Sequence, residues 1–164
     1  MPYYVDLQIA STTSLNVNQE ELLAWAKLPL THHNLDAAEL TVRLVDKSEI
    51  QALNNCYRKQ DKATNVLAFP SRLPPEIQLT YPLLGDVIIC PEIIEEEAIT
   101  YNKPISAHWA HILIHGVLHL LGYDHIEPDD AEQMMALEVK LVQELGFANP
   151  YGQEELLEST HVEG

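Results

Sequence analysis

HILIHGVLHLLGYDH, residues 111–125, carries four histidines and two glycines among mostly apolar side chains, and its reading decides both fold and chemistry. At about 100° per residue on a helix, His111, His115 and His119 fall on one stripe, each roughly one turn from the next. Two neighbours on that stripe can share a metal ion. All three cannot, because residues eight apart are separated by about 12 Å of rise, whereas an imidazole nitrogen lies about 2.0–2.1 Å from zinc. The third ligand must come from beyond the helix, and Gly122 supplies the means. A glycine just past a helical run takes the left-handed conformation that ends the helix and turns the chain back. The reversal selects His115, His119 and His125 as the metal ligands. Three neutral imidazoles with an open fourth position describe a catalytic zinc site better than a structural one.

A lone histidine on a largely apolar helix is more often a buried residue with a satisfied ring nitrogen than a ligand. His108 and His111 keep that reading, with support of the ligands from behind as the lesser option. Gly116 carries information of its own. The spacing of His115, His119 and His125 is that of the metzincin zinc proteases, in which a glutamate after the first histidine takes a proton from zinc-bound water. Glycine cannot do so, and peptide hydrolysis of that type is disfavoured. A phosphate ester becomes the better substrate class, since a metal polarises a phosphoryl oxygen, provided that a cation holds the phosphate.

Outward from this helix, strand patterns lie upstream. Tyr3 to Ala10 alternates with Tyr3, Val5, Leu7 and Ile9 on one face, and AELTVRLVD (38–46), NVLAFP (65–70) and LGDVIIC (84–90) read as further strands. Between them a helix runs from about Asn18 to Lys27, capped by Asn18 and ended by Pro29, and another from Ser48 to Arg58 has Ile50, Leu53 and Tyr57 at helical spacing. SRLPPEIQLTYP (71–82) is too punctuated by proline for regular structure. Helices dominate from Pro91: PEIIEEEAITY, then about Ser106 to Leu121, then about Asp129 to Leu145, with Asp129 and Glu132 as a capping-box-like start and Gly146 as its stop. Strands early and helices late predict an α+β domain, a small mixed β-sheet with helices covering one face and a zincin-like metal-binding helix.

A chain of 164 residues suits one domain, expected over residues 1–151, with 152–164 an acidic, mobile tail. The start, MPYYVDLQIAST, lacks the basic region of a secretory signal, no run approaches a membrane span, and Cys56 and Cys90 form no close pair. These observations predict a cytoplasmic protein with no membrane partner. A formal net charge of −16 would repel a polyanion at long range. Yet Arg58, Lys59, Lys62 and Arg72 gather in one segment, either a local basic strip or a solvated charged loop.

HGVLHLLGYDH (115–125) resembles the signature of the YbeY family, the endoribonucleases of ribosomal RNA maturation. NCYRKQDKATNVLAFP (55–70) is similar to that family's Tyr-Arg-x-x-Asp block and the Thr-Asp-Val-Leu-Ser-Phe-Pro after it, and LGDVIIC is a third match. The resemblance spans about Leu40 to Tyr151. It implies a zinc-containing enzyme acting on single-stranded RNA in maturation of the 16S ribosomal RNA 3′ end and in ribosome quality control, with the small ribosomal subunit and its assembly factors as partners. It makes His115, His119 and His125 the zinc ligands and Arg58 an arginine implicated in activity. Asn65 stands where aspartate is usual and Ala68 where serine is usual.

On the residues alone, Arg58 reads equally as a phosphate clamp, through its planar fork of donors, or as a cation at a helix C-terminus, paired with Asp61. The resemblance favours the clamp. Asp124, the other candidate for catalysis, either orients a ligand or moves a proton, or is a turn residue bonding its own backbone. The rival readings are a zinc-stabilised ribosome-assembly or RNA-binding factor without strong nuclease activity, and a metallopeptidase that would need Glu127 or Glu132 as its base.

Overall fold

Alternating apolar residues build the sheet. The structure, a computed structural model, describes residues 3–71, 82–123 and 127–151. Strands β1 (Tyr3–Ile9), β2 (Ala38–Leu44), β3 (Val66–Pro70) and β4 (Leu83–Ile89) form one mixed sheet in the order β1-β2-β4-β3. β2 runs parallel to both β1 and β4, and β3 lies antiparallel to β4 at the edge. Helix α1 (Gln19–His32) links β1 to β2, and α2 (Lys47–Arg58) follows β2. Helices α3 (Pro91–Thr100), α4 (Ile105–Leu120) and α5 (Pro128–Glu144) come after β4. The fold is α+β, as the order of patterns predicts. Arg72, Asp124, His125 and the tail 152–164 lie outside the described residues.

Helices cover both faces of the sheet, not one. Ala38, Leu40, Val42 and Leu44 of β2, with Val87 and Ile89 of β4, meet α1 and α4. Leu67 of β3 and Ile88 of β4 turn the other way, onto Ile50 and Leu53 of α2. The reason is legible in β4: Val87, Ile88 and Ile89 form an apolar run without alternation, and such a strand requires cover on both sides.

Two helix boundaries differ from expectation. α1 continues through Pro29 to His32. Leu30 is fully buried, and burial of an apolar side chain contributes about 1.5–3 kcal/mol, comparable with the roughly 3 kcal/mol that an interior proline costs. Packing therefore carries the helix one turn past its breaker. α5 begins at Pro128, with Glu127 at the N-cap position and no side-chain cap, so Asp129 lies inside the first turn and no capping box forms there. Pro128 has no N–H to lose at that position.

α4 lies at the centre of the fold. Leu113 and Val117 pack towards the sheet, while Ile114 and Leu118 meet Met134, Leu141 and Val142 of α5. A helix that is apolar all round has to be enclosed in this way. Gly116 permits the close approach: a Cβ there would stand 2.7 Å from Val87 Cγ1 and 3.2 Å from Val66 Cγ2.

Candidate metal centre

α4 ends as the histidine arithmetic requires. Gly122 has φ +102°, its N–H bonds to His119 O, and Tyr123 N–H bonds back to Leu118 O, each at 3.1 Å. This paired closure satisfies the last carbonyls and turns the chain. His119 therefore lies in the final turn before the reversal, with His115 one turn earlier. Their ring centroids are 4.7 Å apart, against 6.4 Å for His111 and His115. The Nε2 atoms of His115 and His119 are buried and make no hydrogen bond to a described residue.

The polar support comes from α5. Glu138 is 1% exposed, with Oε2 3.3 Å from His115 Nδ1 and Oε1 2.6 Å from His111 Nε2. Tyr151 donates its hydroxyl to the same Oε1 at 2.7 Å. Burial acts to raise the Glu138 carboxyl, but the opposing effects, led by the hydrogen bonds of His111 and His115, hold the group below the usual carboxylate range. Burial dominates at His111 and lowers it, against the opposing pull of Glu138. A carboxylate facing a neutral His111 is the consistent state, with Nε2–H of His111 donating.

His108 and His111 each have Nε2 bonded, as expected of core histidines on an apolar helix, while their Nδ1 atoms are buried and make no hydrogen bond to a described residue. His108 Nε2 lies 2.8 Å from Glu97 Oε1, and Asn65 Nδ2 donates to that carboxylate at 3.1 Å. Sequence reading missed Glu97, Glu138 and Tyr151. A signal for Glu138 existed, because it continues the stripe of Met134, Leu141 and Val142 on α5, where a lone acid has no solvent to face.

His115 and His119 fit a metal by chemistry and position: both are imidazoles, in adjoining turns, and the carboxylate beside His115 Nδ1 leaves the Nε2 lone pair for an ion. Among the described residues no three His, Cys, Asp or Glu side chains form a metal-binding group. The expected third ligand, His125, lies outside them, as does Asp124.

Arg58 is exposed in the last turn of α2, followed by exposed Lys59 in the left-handed conformation at φ +57°. Asp61 accepts from Gln51 at 3.1 Å. Tyr57 is 65% exposed, with its ring edge-on to Phe69 at 5.1 Å. The structure brings His115 and His119 together; Arg58 belongs to α2, whose Ile50 and Leu53 pack on the face of the sheet opposite α4.

A family profile described as Endoribonuclease YbeY matches residues 8–146. The chain is 55% identical over 155 residues to endoribonuclease YbeY of Legionella pneumophila (strain Corby), covering 94% of this chain and 98% of that protein. It is 48% identical over 149 residues to endoribonuclease YbeY of Cellvibrio japonicus (strain Ueda107), covering 91% and 83% respectively. Among solved structures it is similar to the solution structure of TM1509 from Thermotoga maritima, with TM-score 0.55 and 28% identity over 94% of this chain and 95% of that one.

Proposed function

The chain belongs to the endoribonuclease YbeY family, hydrolases by that description, and on this footing we propose a zinc-dependent endoribonuclease specific for single-stranded RNA. Its substrate in this reading is the 16S ribosomal RNA precursor, cut during 3′-end maturation and ribosome quality control, with the small ribosomal subunit and its assembly factors as partners. The cytoplasm is the corresponding location. No helix among the described residues is long and apolar enough to cross a membrane. Residues 1–151 would form the domain and 152–164 an acidic extension.

The observation that carries the reading is the pair His115 and His119 in the last turns of α4, with Glu138 behind His115 and no side chain at Gly116. His115, His119 and His125 would hold the zinc. When bound, the ion supplies Lewis-acid polarisation of a phosphoryl oxygen and lowers the pKa of water towards neutrality. The protein's own groups do the rest. Arg58 presents a fork of donors that would hold a phosphate of the strand. The exposed ring of Tyr57 beside it suits stacking with an unpaired base, the mode by which single strands are recognised. Asp124 is proposed to orient His125 or accept a proton.

One observation favours the second reading, an assembly factor that uses zinc for stability: α2, which carries Arg58, packs on the face of the sheet opposite α4. Cleavage of a structured ribosomal RNA fragment decides between them, using the wild-type protein, a His115→Ala, His119→Ala double variant and Arg58→Ala, with zinc content measured for each. We expect cleavage by the wild type alone, with Arg58→Ala keeping its zinc. Equal activity in all three preparations, or none in the zinc-loaded wild type, would give the assembly-factor reading.

A further inference from the structure

Glu138 is a buried acid, 1% exposed, where the packing pattern asks for an apolar side chain. Met134, Leu141 and Val142, its neighbours along α5, are each at most 1% exposed. Burying a charge costs several kcal/mol, and an apolar residue of similar volume would often serve stability as well or better. Stability alone therefore gives no reason for an acid here. Its hydrogen bonds do.

The two carboxylate oxygens are divided between tasks. Oε1 is held by the Tyr151 hydroxyl at 2.7 Å and by His111 Nε2 at 2.6 Å, and Oε2 faces His115 Nδ1 at 3.3 Å. With its proton on Nδ1, His115 has its lone pair on Nε2, the atom directed into the interior beside His119. The opposite tautomer would set a lone pair against the carboxylate and an N–H where an ion should sit. We propose that Glu138 is the positioning residue of the metal centre, locking the tautomer and ring orientation of His115, while His111 and Tyr151 hold the carboxylate in place. Tyr151 belongs to the segment after α5, so that segment takes part in building the site. The inference rests on the reading of His115 and His119 as ligands.

The test is zinc affinity, measured by chelator competition on the full chain for wild type, Glu138→Gln, Tyr151→Phe and His119→Ala, alongside thermal unfolding of each metal-free protein. The visible absorption of the cobalt-substituted forms reports ligand geometry. Glu138→Gln should weaken zinc binding about 10–100-fold and shift the cobalt bands. Tyr151→Phe should give a smaller loss, at least about threefold, and it decides the matter if Glu138→Gln does not fold. Affinity within about twofold of wild type with unchanged cobalt bands, whatever happens to metal-free stability, would reduce Glu138 to a clamp between α4 and α5 and overturn the proposal. His119→Ala separates the two levels. If it loses zinc while Glu138→Gln and Tyr151→Phe do not, the positioning role alone fails; if it keeps wild-type affinity, the ligand reading fails and the positioning role with it.

Discussion

At position 116 a single atom decides what the site can be. Sequence reading makes Gly116 the place where a zinc protease carries its base; the structure adds that any side chain there would be driven into the fully buried Val87. The glycine is thus a packing requirement of α4 against the sheet as well as a missing base. Gly116→Ala should destabilise the protein by about 1–3 kcal/mol through overpacking, read as a lower urea midpoint at unchanged slope. Gly116→Glu should cost more by burying a charge and should confer no peptidase activity. A wild-type midpoint for Gly116→Ala would mean that β4 yields at this point. The ligand pair was legible because it obeys helical arithmetic within one short segment. For Glu138 only the lone acid on an apolar stripe was legible; its partner was not, because His111 is 27 residues away on a helix whose packing partner the sequence does not specify.

Elements follow local pattern until packing overrules it. β1 and β2 were legible from alternation, β3 and β4 as short apolar runs, and α4 from its length and apolarity. Pro29 was read as a stop because a single sequence cannot say that Leu30 beyond it is buried, and one-sided cover was expected because the apolar run of β4 was not weighed as a two-faced strand. A junction of three elements offers a test. Asn65, just ahead of β3, donates to Glu97 on α3, which also meets His108 on α4. Asn65→Asp, the residue usual in the family that the sequence resembles, would replace that donor with a second carboxylate. We expect a loss of about 1–2 kcal/mol at neutral pH. Urea midpoints of the two proteins check this; an unchanged midpoint would show that the Asn65–Glu97 hydrogen bond contributes nothing to stability.

For the whole molecule the governing quantity is charge. A chain at −16 cannot draw a polyanion over its surface at large, so RNA has to be held through few cations. Arg43 is paired with Glu49, and Lys47 with Glu92 and Glu96, while Arg58 and Lys59, both exposed, stand where α2 ends. Because α2 and α4 cover opposite faces, a strand gripped at Arg58 is expected to pass the β3 edge of the sheet to reach His115 and His119. A duplex is too stiff for that path and a single strand is not, which links the fold to the proposed substrate. The number of phosphates engaged is then small and measurable. Each contact to single-stranded nucleic acid contributes about −0.7 to the slope of log K against log salt, so the pair Arg58 and Lys59 predicts a slope of about −1.4, and Arg58→Ala should reduce its magnitude by about 0.7. Titrations of a short unpaired RNA over a range of salt concentrations give both values. A slope of about −5 or steeper would require phosphate contacts beyond this strip and would remove Arg58 as the principal clamp. An unchanged slope in Arg58→Ala would do the same and return that arginine to its alternative role as a cation at the C-terminus of α2.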